Sequence, residues 1–240
     1  MLKLIPYIRK IVWVVAFLLV VLVFIKVKAD GGDEAMQTLI LAQSFAKLAY
    51  LFLLATLFAS PLYIAFPKLP GKPLYIKARK ALGVSTFFFV LLHWYYSFFG
   101  LLGGFANIKF LSGKILLATM FGHISLIILA ILTVTSISYL IHKLGRNWKP
   151  LHRLVYVVAI LVPIHALLIG SDFQNPDDLG ANLFLFATLL LLMLEEIRIY
   201  KYITAKFPKF PAQISAIILS ALFIGIFYIV FFSNIFVQHG

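Results

Sequence analysis

The segment WKPLHRLVYVVAILVPIHALLIG, from Trp148 to Gly170, carries two histidines in a run that is otherwise mostly aliphatic or aromatic. A histidine inside a hydrocarbon layer is costly and usually has a definite partner within the protein. The segment therefore predicts a helix that crosses a membrane and holds a functional imidazole at His165. The other histidine, His152, lies thirteen residues earlier and is followed directly by a basic residue.

The composition of the whole chain indicates the same class of protein. Of the 240 residues, 63% are hydrophobic and only 12% are charged, whereas soluble proteins are about half apolar and about a quarter charged. The sequence therefore predicts an integral membrane protein. The net charge of +13 is then typical of basic cytoplasmic loops rather than of nucleic-acid binding. Because the chain has no cysteine, disulfides, thiolate metal sites, iron–sulfur clusters and covalent c-type haem are excluded.

Seven apolar runs approach the length of about 20 residues that a helix needs to cross a membrane. They are Ile11–Val27, Gln43–Phe66, Ala81–Gly104, Ile115–Ile141, Leu151–Gly170, Ala181–Tyr200 and Pro211–Phe236. The first run is the shortest and also resembles a signal peptide, but we keep it as a span. The sequence thus predicts an all-α bundle of six to seven transmembrane helices.

The loops between these runs alternate in charge, which predicts their orientation. Basic residues lie at the start and after spans two, four and six: Lys3, Arg9, Lys10, Lys68, Lys72, Lys77, Arg79, Lys80, Lys143, Arg146, Lys149, Arg153, Arg198, Lys201, Lys206 and Lys209. Acidic residues mark the opposite loops: Asp30, Asp33, Glu34, Asp172, Asp177 and Asp178. Since basic loops remain in the cytoplasm, we expect a cytoplasmic N-terminus and an external C-terminus with His239.

Two histidines are expected at the same depth. At 1.5 Å per helical residue, the third span reaches His93 roughly 18 Å above Ala81, and the fifth reaches His165 roughly 21 Å above Leu151. A histidine bonded to a carbonyl or hydroxyl of a neighbouring helix is one interpretation. Zinc would need further ligands, and spans one to five contain no Asp or Glu. A b-type haem needs only two opposed imidazoles and an apolar slot, so we predict haem ligation by His93 and His165.

Two stretches carry a resemblance to a known family. KARKALGVSTFFFVLLHWYYSFFG (Lys77–Gly100) and HKLGRNWKPLHRLVYVVAILVPIHALL (His142–Leu168) resemble the ferric-reductase-like transmembrane family, and LFLLATLFASPLYIA (Leu51–Ala65) is similar to a second span found there. The resemblance extends over roughly residues 11–169. It implies a multi-pass protein of the bacterial cytoplasmic membrane that binds haem.

The resemblance also implies a function and a set of ligands. His93, His152 and His165 match the haem-ligand positions of the family. The implied activity is a relay that moves electrons from a cytoplasmic flavin reductase or membrane quinol to an acceptor beyond the membrane. By resemblance, that acceptor is a molybdopterin methionine-sulfoxide reductase subunit.

The number of haems stays open between one and two. Two-haem members of the family carry a second histidine on span three, but the positions fourteen residues on either side of His93 are Arg79 and Asn107. His152 therefore lacks an obvious partner and could instead cap a loop or bond a haem propionate. Arg79 and Arg153 suit propionates or acidic lipid headgroups, and otherwise serve as interface anchors.

The organisation of the chain follows from these assignments. We expect residues 1–170 to form a haem-binding transmembrane core of five spans, and residues 171–240 to add spans six and seven. The sequence contains no glycine-rich nucleotide motif, so FMN or quinone is expected on a separate donor. The chain is then the electron-transfer subunit of an oxidoreductase system.

The alternative function is the transmembrane component of a ferric or metal-chelate reductase. A secondary transporter is a lesser alternative, which would show inverted repeats. A purely structural role would leave unexplained the two histidines at the same depth.

Three further residues have open roles in the sequence. His123 could hydrogen-bond a haem edge, help to hold quinone, or bond across helices. Glu195 and Glu196 lie near the inner end of span six beside Arg198, where local ion pairing explains them. They are also the acids at membrane depth that a proton route to a quinol site would use.

Overall fold

The computed structural model describes residues 5–170, 178–208 and 211–237. Within these ranges the chain folds into helices joined by short turns, without any β-strand. An all-α architecture is therefore confirmed. The predicted outer-loop residues Asp172 and Asp177, the basic residue Lys209 and the terminal His239 lie outside the described residues.

Ten α-helices follow one another along the described part of the chain. They are α1 (Ile8–Asp30), α2 (Glu34–Phe58), α3 (Pro61–Ala65), α4 (Lys72–Trp94), α5 (Gly113–Val134), α6 (Ser138–Leu144), α7 (Trp148–His152), α8 (Val155–Ile169), α9 (Leu179–Lys206) and α10 (Ala212–Val237). A π-helix, Tyr95–Leu101, continues α4, and 3₁₀ turns occupy Phe105–Phe110 and Gly145–Asn147.

Several of the described helices are long and apolar enough to cross a membrane. Four segments meet this condition, namely Ile8–Asp30, Glu34–Ala65, Lys72–Leu101 and Gly113–Val134. A fifth candidate is the pair Ser138–His152 and Val155–Ile169, which is bent by 42°. The integral membrane class is thus confirmed, while the count of six to seven spans and the cytoplasmic N-terminus stay predictions.

The fourth and fifth spans differ from the continuous runs that hydrophobicity predicted. Helix α5 ends at Val134, and the next helix starts only at Ser138. The hydroxyl of Thr135 donates to the carbonyl of Ile131 at 2.7 Å, which closes the end of α5 locally. Helix α7 ends where the amide of Arg153 bonds the carbonyl of Pro150, a tighter 3₁₀-type turn.

Two helix pairs form the centre of the bundle. Helix α2 packs along α4, and α5 packs along α8. Phe45, Phe52 and Phe89 are buried between α2 and α4. Leu129 and Val158 are buried in a second cluster between α5 and α8. The candidate haem ligands lie on α4 and α8, one on each pair.

The packing predicts that Phe89→Ala is strongly destabilising. Phe89 is 1% exposed, whereas its neighbour Phe88 is 57% exposed on the outer face of the same helix. Truncating a buried phenylalanine costs about 3–5 kcal/mol through lost contacts and the cavity left behind. Thermal unfolding of the protein in detergent should show a clearly lower Tm for this variant.

Phe88→Ala is the matched control, because an exposed substitution changes the free energy of unfolding by about 0.5 kcal/mol or less. Equal losses of Tm in the two variants would show that the Phe89 side chain does not lie in a packed core.

Candidate functional site

The structure brings His93 and His165 together. His93 lies in the last turn of α4 and His165 lies towards the end of α8. Their ring centres are 6.1 Å apart, and the two ring planes are inclined by 79°. Both rings are partly buried. Two histidines separated by 72 positions in sequence therefore share one place in the bundle.

Each of the two rings has one nitrogen held by a backbone carbonyl of another helix. His93 Nδ1 lies 2.9 Å from the carbonyl oxygen of Ala42 on α2, and His165 Nδ1 lies 2.8 Å from that of Ala118 on α5. A carbonyl oxygen only accepts, so Nδ1 must be the protonated nitrogen in both rings. The Nε2 atoms are then left with lone pairs, which is the tautomer that a metal ligand requires.

Small residues allow the helices to approach these rings closely. Ala42 and Ala118 are 3% and 0% exposed. Gly122 faces the His165 ring, and a Cβ atom at this position would lie 3.1 Å from Cε1 of that imidazole. This contact is tighter than normal van der Waals packing, so glycine at this position leaves room for the ring.

The donor set fits a haem between the two helices. Imidazoles that bind one metal from opposite sides through Nε2 have ring centres about 6 Å apart, since each metal–nitrogen bond is about 2 Å long. The observed separation of 6.1 Å agrees with this value. The described residues contain no group of three or more His, Asp or Glu that could hold a metal ion, but a porphyrin supplies four nitrogens itself. The imidazoles of His93 and His165 would therefore be a sufficient contribution from the protein.

His152 lies in a different environment. Its Nε2 is 3.1 Å from the Thr135 hydroxyl, which itself donates to a carbonyl one turn earlier. The ring lies against Trp148, with centres 4.2 Å apart, and the Trp148 indole donates to the Thr135 carbonyl at 3.0 Å. These contacts join α7 to the end of α5. A role of His152 as a haem ligand stays a prediction.

The two arginines predicted near propionates lie in separate settings. Arg79 on α4 donates to the Ser60 hydroxyl at 2.9 Å. Arg153 is exposed in the turn between α7 and α8. Their contact with haem propionates stays a prediction.

Glu195, a buried acid on α9, was predicted to form a local ion pair or to serve a proton route to a quinol site. Glu195 is 7% exposed, and Arg198 Nη2 lies 2.6 Å from its Oε2, so the predicted ion pair is confirmed. Arg198 also donates to the Tyr156 hydroxyl at 2.5 Å. Neither carboxylate oxygen has a hydrogen bond of regular geometry with the described residues. The spacing of three residues indicated the ion pair, but the contact with α8 could not be read from it.

A second contact that the sequence left open joins α4 to α5. The indole of Trp94 donates to His123 Nε2 at 3.0 Å. Of the three roles considered for His123, the structure shows the bond across helices. Trp94 directly follows the candidate ligand His93, so this bond lies beside the histidine pair.

The chain is similar to a set of known membrane proteins. The family "Ferric reductase like transmembrane component" matches residues 43–163. The "Protein-methionine-sulfoxide reductase heme-binding subunit MsrQ" of Salmonella dublin is 36% identical over 146 residues, which cover 60% of this chain and 67% of that protein. The protein of the same name from Enterobacter sp. (strain 638) is 40% identical over 124 residues, covering 50% of this chain and 59% of the relative. No solved structure matches the chain.

The region that matches the family contains two of the three candidate haem ligands. The matched part of the chain spans about three fifths to two thirds of the length of these two curated relatives. Residues 43–163 contain His93 and His152 and end two residues before His165. The match covers half of the chain, and the predicted resemblance is confirmed: this protein belongs to the ferric-reductase-like transmembrane family.

Proposed function

We propose that this chain is a transmembrane electron-transfer subunit that binds one b-type haem between His93 and His165. The observation that carries the proposal is the pair of imidazoles 6.1 Å apart, each with its Nδ1 held by a carbonyl of another helix. The curated relatives are named as haem-binding subunits of a methionine-sulfoxide reductase, which supports the same cofactor and the same class of acceptor. The acceptor is then a reductase subunit, by resemblance a molybdoenzyme, on the external side of the bacterial inner membrane.

When bound, a haem supplies reversible one-electron chemistry, and the protein supplies its ligands and surroundings. The carbonyls of Ala42 and Ala118 accept hydrogen bonds from the two rings, which makes each Nε2 more basic and fixes the ring's rotation. Stronger donation from imidazole stabilises the ferric state, so these bonds favour electron release to the acceptor.

Four helices contribute to this site. Helices α4 and α8 carry the imidazoles, while α2 and α5 carry the carbonyls that orient them. A ring whose Nδ1 is hydrogen-bonded to a carbonyl would keep its position when the charge of a bound iron changes. Such preorganisation suits electron transfer, because little reorganisation accompanies each event.

Glu195 favours a quinol over a cytoplasmic flavin reductase as the electron donor. A quinol and a reduced flavin both release protons with their electrons, but a cytoplasmic flavin releases them to water. A quinol that is oxidised in apolar surroundings instead needs a nearby base to accept its protons. Glu195 is a 7%-exposed carboxylate whose Oε2 is paired with Arg198 and whose Oε1 has no hydrogen-bond partner among the described residues. We propose that it accepts a quinol proton at the predicted cytoplasmic end of α9.

The ligand assignment predicts that His93→Ala and His165→Ala each abolish most of the bound haem. Each change removes one of the two imidazoles that would hold the haem, and one imidazole alone would hold it weakly. Absorbance spectra of purified protein should lose the Soret band and the reduced α-band. His142→Ala, at an exposed position on α6, should retain both bands; haem kept in full by both single variants would refute the assignment.

The environment of His152 predicts a haem content that does not depend on this residue. Its Nε2 is already bonded to Thr135 and its ring is packed on Trp148. A pyridine-haemochrome assay should therefore give about one haem per chain, both for the wild type and for His152→Ala. A value near two that falls to one in the variant would instead assign a second haem to His152.

The proton-acceptor role predicts that Glu195→Gln slows reduction by a quinol analogue on the order of 100-fold, the typical effect of losing a general base. Reduction by dithionite should remain at the wild-type rate, because it needs no base. Glu196→Gln is the matched control, since the neighbouring carboxylate accepts from Ser220 on α10. Unchanged quinol-driven rates in Glu195→Gln would remove the role.

A further inference from the structure

Both ring nitrogens of His123 are engaged in hydrogen bonds. Nδ1 lies 2.8 Å from the carbonyl oxygen of Thr119, one turn earlier on α5, and so carries the proton. Nε2 accepts from the Trp94 indole N–H at 3.0 Å, and an indole nitrogen can only donate. The ring is therefore neutral, with one fixed tautomer and no free nitrogen to bind iron or to carry a proton.

The turn of α5 that carries His123 also contacts His165 of α8. The carbonyl of Ala118 accepts from His165 Nδ1, and the carbonyl of the next residue, Thr119, accepts from His123. Gly122, the residue before His123, lies against the His165 ring. One turn of α5 thus contacts the candidate ligand His165 and carries His123, the partner of Trp94.

The α4 side of the same contact lies beside the other candidate ligand. Trp94 follows His93 and is the last α-helical residue before the π-helix Tyr95–Leu101. The wider π turn is rare in proteins and frequently occurs at functional sites. Two side-chain bonds flank the change of geometry here: the Ser97 hydroxyl donates to the His93 carbonyl at 2.7 Å, and Trp94 bonds His123.

A packed aromatic group surrounds the Trp94–His123 bond. Phe98 lies parallel to Trp94, with ring centres 5.9 Å apart and planes inclined by 10°. The same phenylalanine, 2% exposed, meets His123 edge-on at 4.8 Å. The bond therefore lies among aromatic rings, in surroundings where its loss would leave two polar atoms without partners.

We propose that His123 is a positioning residue for the ligand pair: through Trp94 on one side and its own turn of α5 on the other, it keeps the planes of His93 and His165 crossed. The proposal rests on the proposed function, since it concerns ligands of the same haem. The crossing angle is 79°. His123 acts through these neighbours and does not touch the iron.

The crossing angle has its own spectroscopic signature. In ferric haem with two imidazole ligands, crossed ring planes leave two iron d orbitals close in energy and give a strongly anisotropic electron paramagnetic resonance signal. More parallel planes separate these orbitals and give a rhombic signal with three resolved features. The wild-type protein should show the strongly anisotropic form.

The test uses Trp94→Phe, which removes the N–H donor but keeps an aromatic ring, and His123→Leu, which removes the acceptor. Each variant should retain haem, shift the resonance towards the rhombic form and change the midpoint potential. The double variant should show no more change than either single variant, because both break the same bond.

His123→Gln, whose side-chain oxygen can accept from the indole, should restore the wild-type signal. Trp13→Phe, at a position 48% exposed on α1, is the control for loss of a tryptophan.

The outcomes separate this inference from the proposed function. Wild-type resonance and potential in both Trp94→Phe and His123→Leu would overturn the positioning role while leaving the haem site intact. If His123→Leu loses haem, recovery of haem with the wild-type signal in His123→Gln supports the role, and failure to recover overturns it. A wild-type protein that binds no haem would instead refute the proposed function itself.

Discussion

The site depends on two hydrogen bonds between helices, from His93 to the Ala42 carbonyl and from His165 to the Ala118 carbonyl. A polar ring in apolar surroundings is costly unless its nitrogens have partners. Each bond satisfies one nitrogen and, by fixing the tautomer, points the lone pair of the other nitrogen away from that partner. The interaction that stabilises the imidazole in the bundle is thus the same one that prepares it as a ligand.

These bonds also explain why small residues occupy the neighbouring positions. A carbonyl can reach an imidazole on the next helix only where the two backbones come close, and Ala42 and Ala118 allow that approach with almost no exposed surface. Gly122 provides the remaining space beside the second ring. The large aromatic residues are placed elsewhere, in the contact between α2 and α4 and around Trp94. Small residues thus lie where the helix backbones approach the imidazoles, and large aromatic residues fill other positions along the same helices.

The pairing of the two histidines could be predicted because helix rise is regular and both spans run in the same predicted direction. Counting residues placed His93 and His165 at one depth, and they lie together in the fold. The break after Val134, the π-helix after Trp94 and the partners of His152 could not be predicted in this way. They depend on contacts between distant segments, such as the Trp148 indole with the Thr135 carbonyl, which leave no periodic signal in either segment. For His123, a bond across helices was among the predicted roles, but its partner Trp94 could not be named from the sequence.

The family match and the buried acid lie in different parts of the chain. Residues 43–163 include one candidate ligand, His93, and one of the two orienting carbonyls, that of Ala118. The other carbonyl, that of Ala42, precedes the match by a single residue. Glu195 lies on α9, beyond that region, and pairs with Arg198 of the same helix, which donates to the Tyr156 hydroxyl of α8. The first five apolar runs predicted from the sequence contain no carboxylate. On the proposed function, electrons therefore pass through apolar runs that contain no carboxylate, and the carboxylate that accepts a quinol proton lies on a helix that follows them.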